Sequence, residues 1–262
     1  MQILLTNDDG IYAPGLAAME SALARLGKVC VVAPAVEQSG VGHSITFLMP
    51  LMAKEIYDGE RRRGWAVEGS PADCIKLALS EFCPRPDLVV SGINGGLNLG
   101  INVLYSGTVA GATEGAVFGI PSVAVSLEYD EHAQFDRAAE LATGLIEQIL
   151  KQSDARNHAL YNINIPTSAM HGQTEVRVVP MATLGWPAEF DRRVDPKGRR
   201  YYWAMGSLTV PEAGEMTDLE AWNKGFVTLT PLRIDRTETA MLERIREWKL
   251  SLAPVSSRPS KP

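Results

Sequence analysis

Two adjacent carboxylates follow the first apolar run of the chain. Asp8 and Asp9 come directly after residues 3–5, Ile-Leu-Leu, and Gly10 follows them. This pattern predicts a buried strand that ends in a tight loop, at the strand edge where open α/β sheets bind ligands. Because neighbouring like charges resist joint ionisation, a hard divalent cation would neutralise them well. The alternative is that one of them caps a helix near Pro14, which would account for only one carboxylate.

Two further loops are expected at the same edge of the sheet. The first follows the apolar run 29–33 and contains Ser39; the second follows 88–90 and contains Asn94 and Asn98 among several glycines. Amide oxygens are good ligands for hard cations, and glycines let the backbone approach an anion closely. However, glycines often do no more than make turns, and a loop serine is most often simply exposed to solvent.

A fourth loop, 105–108, opens a helix of small residues over 108–118. The N-terminus of such a helix offers free N–H groups and a positive dipole end to a phosphate, although Ser or Thr before a helix is also an ordinary N-cap. His43 is a candidate acid or base and equally a candidate structural histidine. Glu114 could orient a ligand-binding group or face solvent, and the run 61–63 of arginines predicts a solvated hairpin tip without a function.

Apolar runs alternate with amphipathic segments through the first part of the chain. Strands are predicted at 2–5, 29–33, 87–91 and 122–126, and helices begin near residues 14, 71, 108 and 136. Strands that are apolar on both faces and separated by helices predict a mostly parallel sheet covered by helices on both faces. We therefore predict an α/β core over residues 1–182.

The pattern changes beyond the core. Strands at 161–165 and 176–180 belong to the core, and residues 184–215 are rich in Gly, Pro, charge and aromatics, with a turn signal at 195–198. This stretch predicts a hairpin or extended arm, whose aromatics a partner subunit or the chain's own body could bury. A late strand at 226–230 and a closing helix at 237–250 complete a second region, 183–250. Residues 251–262 predict a disordered tail.

Composition limits the classes of function. The chain has 262 residues, of which 45% are hydrophobic and 21% charged, with a formal net charge of −6. The negative charge argues against a general binder of polymeric nucleic acid or of membrane surfaces, although a mononucleotide could still bind. We expect a cytoplasmic protein, since no signal sequence opens the chain and no apolar run approaches the ~18 residues of a membrane span. Three well-separated cysteines, Cys30, Cys74 and Cys83, predict buried thiols without a disulfide or a zinc cluster.

Several ordered motifs together resemble the SurE family of survival-protein nucleotidases. They extend from residue 1 to about residue 250 and include LTNDDG at 5–10, VAP at 32–34, GSPADC at 69–74, VSGING at 90–95 and YSGTVA at 105–110, with DPKG at 195–198 and GFVTLTP at 225–231. So many motifs in one order make a chance resemblance very unlikely.

The resemblance implies a metal-dependent phosphatase that hydrolyses nucleoside 5′- and 3′-monophosphates. By the family pattern, one divalent ion per subunit (Mg²⁺ or Mn²⁺, with Co²⁺ or Zn²⁺ as alternatives) would be bound by Asp8, Asp9, Ser39 and Asn94. The phosphate pocket would be lined by Ser106, Gly107 and Thr108, with Asn98 nearby. The family also suggests a Rossmann-like core and an arm exchanged between the subunits of a homodimer or homotetramer, which fits the stretch 184–215.

We expect hydrolysis by a metal-activated water, with Asp8 or Asp9 as the catalytic carboxylate that assists its deprotonation. An aspartyl-phosphate intermediate ranks second, because carboxylates committed to a metal are poorer nucleophiles. Two other classes of function remain open. A metal-dependent nucleotide-sugar transferase or phosphotransferase would need an acceptor substrate, and a non-catalytic nucleotide-binding module would release no phosphate.

Overall fold

The chain divides into two compact units, Met1–Leu232 and Arg233–Pro262. The computed structural model describes residues 1–152, 160–172, 175–183, 189–205, 216–248 and 250–252. The second unit contains one described helix, Thr239–Arg246, which is shorter than the predicted closing helix. Most of the predicted disordered tail, residues 253–262, lies outside the described residues.

The first unit contains a large sheet, a separate hairpin and five α-helices among its described residues. The strands are β1 (Gln2–Thr6), β2 (Lys28–Pro34), β3 (Ala53–Asp58), β4 (Arg61–Val67), β5 (Leu88–Gly95), β6 (Ser122–Leu127), β7 (Leu160–Ile165), β8 (Val176–Val178), β9 (Glu189–Val194), β10 (Arg200–Met205) and β11 (Val227–Pro231). The helices are α1 (Pro14–Leu23), α2 (Pro71–Leu77), α3 (Gly107–Val117), α4 (Phe135–Leu150) and α5 (Asp218–Asn223), and the helix of the second unit is α6.

The large sheet has nine strands in the order β3-β4-β2-β1-β5-β6-β7-β11-β8. Strands β4, β2, β1, β5, β6 and β7 are parallel to their neighbours in that series, whereas β3 and β11 run antiparallel to β4 and β7. The prediction of a mostly parallel α/β sheet is therefore confirmed. The carboxyl ends of β1, β2, β4 and β5 meet at one edge, which brings the predicted loops together.

Helices cover both faces of the sheet, as predicted. On β1, Ile3 and Leu5 pack in one core with residues of α1 and α4, such as Leu16 and Ile146. Leu4 points to the opposite face and packs in a second core, which includes residues of α2. Alternation of side chains along a strand produces this division, because successive residues face opposite sides of the sheet.

A hairpin tip was predicted at residues 61–63, but the strands β3 and β4 of this hairpin were not. The arginine run, interpreted as a hairpin tip, forms the first residues of β4 instead. Arg63 is largely enclosed, and its guanidinium donates to Glu20 Oε2 at 2.9 Å and to the carbonyl of Ile11 at 3.0 Å. These bonds connect the hairpin to α1 and to the β1–α1 loop. The interpretation of this run as a solvated tip was therefore wrong at Arg63.

The small residues of α3 let this helix lie directly on the sheet. A Cβ atom added to Gly111 would lie 2.8 Å from Ser91 Oγ and 3.0 Å from Thr6 Cγ2. One added to Gly115 would lie 2.8 Å from atoms of the Val89 side chain. The backbone of the helix therefore packs directly against side chains of β1 and β5. Its first turn lies at the carboxyl edge of the sheet.

Two of the cysteines form a disulfide, which corrects the prediction of three free thiols. Cys30 lies in β2, and Cys83 follows the π-helical turn Ala78–Phe82 after α2; their Cα atoms are 6.4 Å apart. The two residues are 53 positions apart in the sequence, and only the packing of α2 on the sheet brings them together. Cys74 is free and buried, as predicted for a core thiol.

The hairpin of β9 and β10 forms a separate two-stranded sheet. Its turn is built on Asp195, whose carboxylate accepts from the N–H groups of Lys197 and Arg199, both at 2.9 Å. Tyr202 and Trp203 are exposed, at 57% and 58% of their surface. The hairpin was predicted, but residues 184–188 and 206–215 of the proposed arm lie outside the described residues. In the described part of the chain, no helix has the length and apolar character needed to cross a bilayer.

Candidate functional site

The β1–α1 loop fixes the carboxylate pair. Asn7 forms two hydrogen bonds across the loop: its Oδ1 accepts from the Gly10 N–H at 3.2 Å, and its Nδ2 donates to the Gly10 carbonyl at 3.1 Å. Gly10 has a φ of 100°, which an L side chain rarely adopts. The resulting turn leaves Asp8 only 5% exposed and Asp9 partly exposed. Both carboxylates therefore lie at the carboxyl end of a central strand.

Asp8 lies against the first turn of α3. Its Oδ1 accepts a hydrogen bond from Thr108 Oγ1 at 2.5 Å, and its carboxylate also accepts from the backbone N–H of Thr108. A Cβ atom added to Gly107 would lie 2.8 Å from Asp8 Cβ and 2.9 Å from Asp8 Oδ2. The absence of a side chain at Gly107 thus allows the carboxylate to reach the helix N-terminus. The structure brings the first and fourth predicted loops together.

The loop after β2 also contacts the carboxylate pair. The Gln38 N–H donates to the carbonyl of Asp8 at 2.7 Å. Ser39, next in sequence, is exposed, and its hydroxyl donates to Glu37 Oε1 at 2.6 Å. The second predicted loop is therefore beside the first, and it contributes a third carboxylate, Glu37, that the sequence analysis did not single out.

The loop at the end of β5 approaches Asp9. The Gly95 N–H donates to Asp9 Oδ2 at 3.4 Å. The neighbouring Asn94 donates from Nδ2 to the carbonyl of Gly96 at 2.6 Å, so its amide oxygen is the atom available to a cation. The pairing of β5 with β6 shifts register between Ser91 and Asn94, and the Gly92–Ile93 peptide within that shift is cis.

Asn98 is part of a buried hydrogen-bond network. Its Nδ2 donates to Ser126 Oγ at 2.8 Å, and its N–H donates to Asn164 Oδ1 at 2.7 Å. The Asn98 carbonyl accepts from Asn162 Nδ2 at 2.8 Å. The network fixes the loop to β6 and β7. One hydrogen of the Asn98 amide group is used by Ser126, which leaves the second for a ligand.

The N–H groups at the start of α3 are not all free, although the sequence predicted free N–H groups there. The Ser106 N–H donates to the Asn102 carbonyl at 3.1 Å, and the Thr108 N–H faces Asp8. The Ser106 side chain is the N-cap, since its Oγ accepts from the Val109 N–H at 3.1 Å. Within the described residues, the Gly107 N–H has no acceptor. Two donors therefore remain for an anion: the Ser106 hydroxyl and the Gly107 N–H.

Burial makes ionisation of the carboxylate pair costly. Burial raises the pKa of Asp8, and the hydrogen bonds from Thr108 oppose that rise only in part. Burial also raises the pKa of Asp9 to about 6, with a further contribution from the charge of Asp8. Glu37 raises both values slightly. Neither Asp8 nor Asp9 forms an ion pair with a described Lys, Arg or His.

His43 lies on the side of α3 instead of beside Asp8. Its Nε2 is 2.7 Å from Glu114 Oε2, and Lys76 Nζ donates to Glu114 Oε1 at 3.2 Å. Burial opposes ionisation of Glu114, but the hydrogen bonds from His43 and Lys76 outweigh it, so its pKa lies below the ordinary value. Glu114 is six residues beyond Thr108, or roughly 9 Å along a helix axis. The contact of His43 with Glu114 therefore fixes the Ser39 loop to α3.

The sequence and the fold were compared with those of known proteins. Residues 3–187 match the family model described as survival protein SurE. The chain belongs to the SurE family. A 5′-nucleotidase SurE from Rhodopirellula baltica is 53% identical over 252 residues, covering 95% of this chain and 99% of the relative. One from Desulforudis audaxviator is 43% identical over 253 residues, covering 95% and 97%. The crystal structure of the SurE protein from Aquifex aeolicus superposes with a TM-score of 0.82 at 36% identity, covering 95% of this chain and all of that one.

The predicted SurE membership is thus confirmed, and metal dependence is a general property of this family. The donor set here fits a hard cation, because two carboxylates without a described cationic partner lie beside two loops that carry further oxygen donors. Within the described residues, no three His, Cys, Asp or Glu side chains form a metal cluster. A cation in this member of the SurE family would therefore need neutral ligands such as the Ser39 hydroxyl and the Asn94 amide oxygen.

Two features of this SurE site were not predicted from the sequence. Glu37 was not recognised as a carboxylate near Asp8 and Asp9, although it lies only two residues before the predicted ligand Ser39. The contact of Thr108 with Asp8 was also unforeseen, since Thr108 was expected to face phosphate. Residues that are far apart in sequence make that contact, and no local pattern reveals it.

Proposed function

We propose that this chain is a 5′-nucleotidase that hydrolyses nucleoside 5′- and 3′-monophosphates to a nucleoside and phosphate. The observation that carries this proposal is the contact between the Asp8 carboxylate and the first turn of α3. It places an acidic pair next to free donors that suit an anion. Membership of the SurE family and relatives named 5′-nucleotidase SurE support the same activity.

One divalent cation per subunit would be bound by Asp8, Asp9, Ser39 and Asn94. Hard oxygen donors suit Mg²⁺ or Mn²⁺, and Co²⁺ or Zn²⁺ are alternatives. When bound, the cation supplies charge neutralisation for the phosphoryl oxygens and makes water more acidic. Its charge would also offset the repulsion from Asp8, which adds to the effect of burial in raising the pKa of Asp9 to about 6. Ser39 would have to turn its hydroxyl oxygen from Glu37 toward the cation.

The remaining groups have distinct tasks at the phosphate. The Ser106 hydroxyl, the Gly107 N–H and the second amide hydrogen of Asn98 donate to the phosphoryl oxygens and stabilise the charge that develops on them. Thr108 holds the Asp8 carboxylate in place through two hydrogen bonds. Asp9, the more exposed carboxylate, accepts the proton of the attacking water.

We also propose that residues 1–182 are the catalytic core and that residues 183–250 form an oligomerisation region. The exposed aromatics of the β9–β10 hairpin support a homodimer or homotetramer through the arm 184–215. Light scattering would measure the change in mass when Trp203, 58% exposed, is replaced by serine. A smaller assembly is expected. A cytoplasmic location remains a prediction of the sequence.

A phosphate-release panel tests the activity. Purified protein is incubated with nucleoside monophosphates in water, without a second substrate, in Mg²⁺, Mn²⁺, Co²⁺, Zn²⁺ or EDTA. Release that requires a divalent ion and is lost in Asp8→Asn and Asp9→Asn is expected, whereas Asp58→Asn, an exposed carboxylate at the end of β3, serves as the matched control. Turnover only with an added acceptor would indicate a transferase. Tight nucleotide binding without phosphate release would indicate a binding module.

A further inference from the structure

A cleft lies beside the carboxylate pair, where β2 and β4 end. Its volume is about 510 Å³, which is within the usual range for a small-molecule site. Its lining includes Val36 and Gln38 after β2, Ile45 from the Ser39 loop, and Glu68 after β4. We propose that this cleft binds the nucleoside part of the substrate, with Glu68 favouring bases that present an amino group. This inference rests on the proposed nucleotidase activity and assigns it a base preference.

The cleft is directly continuous with the catalytic loops. Gln38, in its wall, donates its N–H to the Asp8 carbonyl at 2.7 Å. The backbone of Val36 lies over Gly10, where an added Cβ atom would be 3.4 Å from the Val36 carbonyl carbon. In the sheet, β2 is the neighbour of β1 and β4 is the next strand. Their ends are therefore roughly 5 and 10 Å from the end of β1, which matches the reach of a sugar and base from a phosphate bound at Asp8.

Two exposed apolar side chains line the cleft. Val36 is 66% exposed and Ile45 is 49% exposed. Single exposed apolar residues need no explanation, but these two share one cleft with polar groups. The faces of a nucleobase are apolar and its edge is polar. Val36 and Ile45 can therefore cover the faces of the base.

The polar groups of the cleft fall into two kinds. Ser70 and Thr46 build its wall: the Ser70 hydroxyl donates to the Ser44 carbonyl at 2.6 Å, and Thr46 donates to Asp73 at 2.8 Å. By contrast, the side chains of Gln38 and Glu68 form no hydrogen bond or ion pair with a described residue. The backbone N–H of Glu68 donates to the Met52 carbonyl at 2.8 Å, which fixes the start of its side chain. These two side chains are thus free to meet a ligand.

The hydrogen-bonding chemistry of the Glu68 carboxylate decides which bases the cleft prefers. An ionised carboxylate only accepts hydrogen bonds, whereas an amide both donates and accepts. Cytosine, adenine and guanine present an amino group, but uracil presents carbonyl oxygens on both sides of a single N–H. Glu68 should therefore attract the first three bases and repel uracil. Gln38 can pair with any base and gives affinity without selection.

Kinetics on CMP and UMP test this preference, because the two bases have the same size. The wild-type protein is expected to show a higher kcat/KM for CMP than for UMP. In Glu68→Gln, which keeps the shape but can donate, the CMP-to-UMP ratio should fall about tenfold, the usual effect of losing one charge-assisted hydrogen bond. A ratio that does not change would overturn the role of Glu68.

A second variant tests whether the cleft holds the nucleoside at all. Val36→Trp fills the cleft, and ribose 5-phosphate is a phosphomonoester that keeps the sugar of the nucleotide but lacks the base. The ratio of kcat/KM for CMP to that for ribose 5-phosphate should fall about tenfold in Val36→Trp, because a blocked base contact costs at least one such interaction. Val178→Trp is the matched control, since Val178 is 69% exposed and lies on the edge strand β8. Its ratio should equal that of the wild-type protein.

The outcomes separate the two proposals. If Val36→Trp lowers both activities equally, or lowers neither, the cleft does not bind the nucleoside, while the nucleotidase activity stands. If wild-type protein releases no phosphate from any nucleotide with any of the four ions, the nucleotidase proposal fails, and the assignment of the cleft fails with it.

Discussion

Replacing Asp9 by asparagine should stabilise the metal-free protein. Burial and the charge of Asp8 raise the pKa of Asp9 from 3.8 to about 6 in the folded state. The folded protein thus binds this proton more tightly than the unfolded chain does. The contribution of Asp9 to the free energy of unfolding is consequently greatest at low pH, falls as the pH rises from about 4 to about 6, and stays reduced above that range. Asparagine removes the charge and can still accept the Gly95 N–H with its amide oxygen.

The size of the effect follows from the shift. A difference of about 2 pKa units corresponds to about 3 kcal/mol at neutral pH. Because Asp9 is partly exposed and solvent screens its charge, we expect about 1–2 kcal/mol. For a protein of this length, such a gain raises Tm by roughly 2–8 °C. At pH 4.5 about one third of the gain should remain, because that pH lies about one third of the way from 3.8 to the folded-state pKa of about 6.

Thermal unfolding in EDTA at pH 7.5 and pH 4.5 measures this change. When Mn²⁺ replaces EDTA in the buffer, it should stabilise the wild-type protein at pH 7.5 and have little effect on Asp9→Asn, which lacks one ligand charge. Asp58→Asn should shift Tm little at either pH, because Asp58 is exposed. A lower Tm for Asp9→Asn than for wild-type protein in EDTA at pH 7.5 would refute the reasoning.

Three other substitutions probe the same structure. Gly107→Ala should lower kcat/KM for nucleotides at least ~100-fold, because the new Cβ atom would lie 2.8 Å from Asp8 Cβ and displace the carboxylate. Thr108→Val, which deletes the hydrogen bond to Asp8, should weaken Mn²⁺ binding about tenfold in calorimetry. Replacing Cys30 and Cys83 together by alanine should lower the free energy of unfolding by about 4 kcal/mol in urea, since the disulfide closes a loop with a sequence separation of 53.

Each of these predictions has a control within the chain. Gly144→Ala, inside α4 with only a distant neighbour at 3.9 Å, should leave kcat/KM unchanged and raise stability slightly. Thr143→Val also removes a buried hydroxyl, one that donates only to Met19 Sδ at 3.9 Å, so Mn²⁺ affinity should stay at the wild-type value. A reductant should destabilise wild-type protein but not the Cys30/Cys83 double variant. Equal effects in a variant and its control would contradict the corresponding argument.

Apolar runs and capping residues in the sequence were sufficient to predict the strand and the helices that position the site residues. The apolar run before Asp8 predicted β1, and Ser70-Pro71-Ala72-Asp73 predicted the start of α2, where the capping box is present. Ser106 was predicted for the phosphate pocket, with an N-cap as the alternative, and the structure shows that it is the N-cap of α3. The meeting of four loops followed from one rule, because the carboxyl ends of parallel strands share an edge.

Long-range contacts accounted for what the sequence did not predict. The strands of the β3–β4 hairpin were not predicted around its expected tip, because β3 is mostly exposed and neither strand has a strong apolar pattern. Helix α5 has only six residues, too few for a clear period, and depends on buried Asp218, which accepts from the N–H groups of Gly100 and Ala182. The Cys30–Cys83 disulfide joins residues whose proximity is set by the packing of α2.

The glycine spacing along α3 has a consequence for protein engineering. Gly107, Gly111 and Gly115 recur every fourth residue, and a methyl group added to any of them would lie within 2.9 Å of an atom of β5, β6 or Asp8. The atoms met there include Asp8 Cβ and Val89 Cβ, which are fixed to the backbone, so a larger residue could be accommodated only if the helix moved away from the sheet. A mutational library intended to retune base preference should randomise Val36, Gln38, Ile45 and Glu68 and leave that glycine ladder constant. Diversity placed on the ladder would yield mostly inactive clones, whatever the substrate.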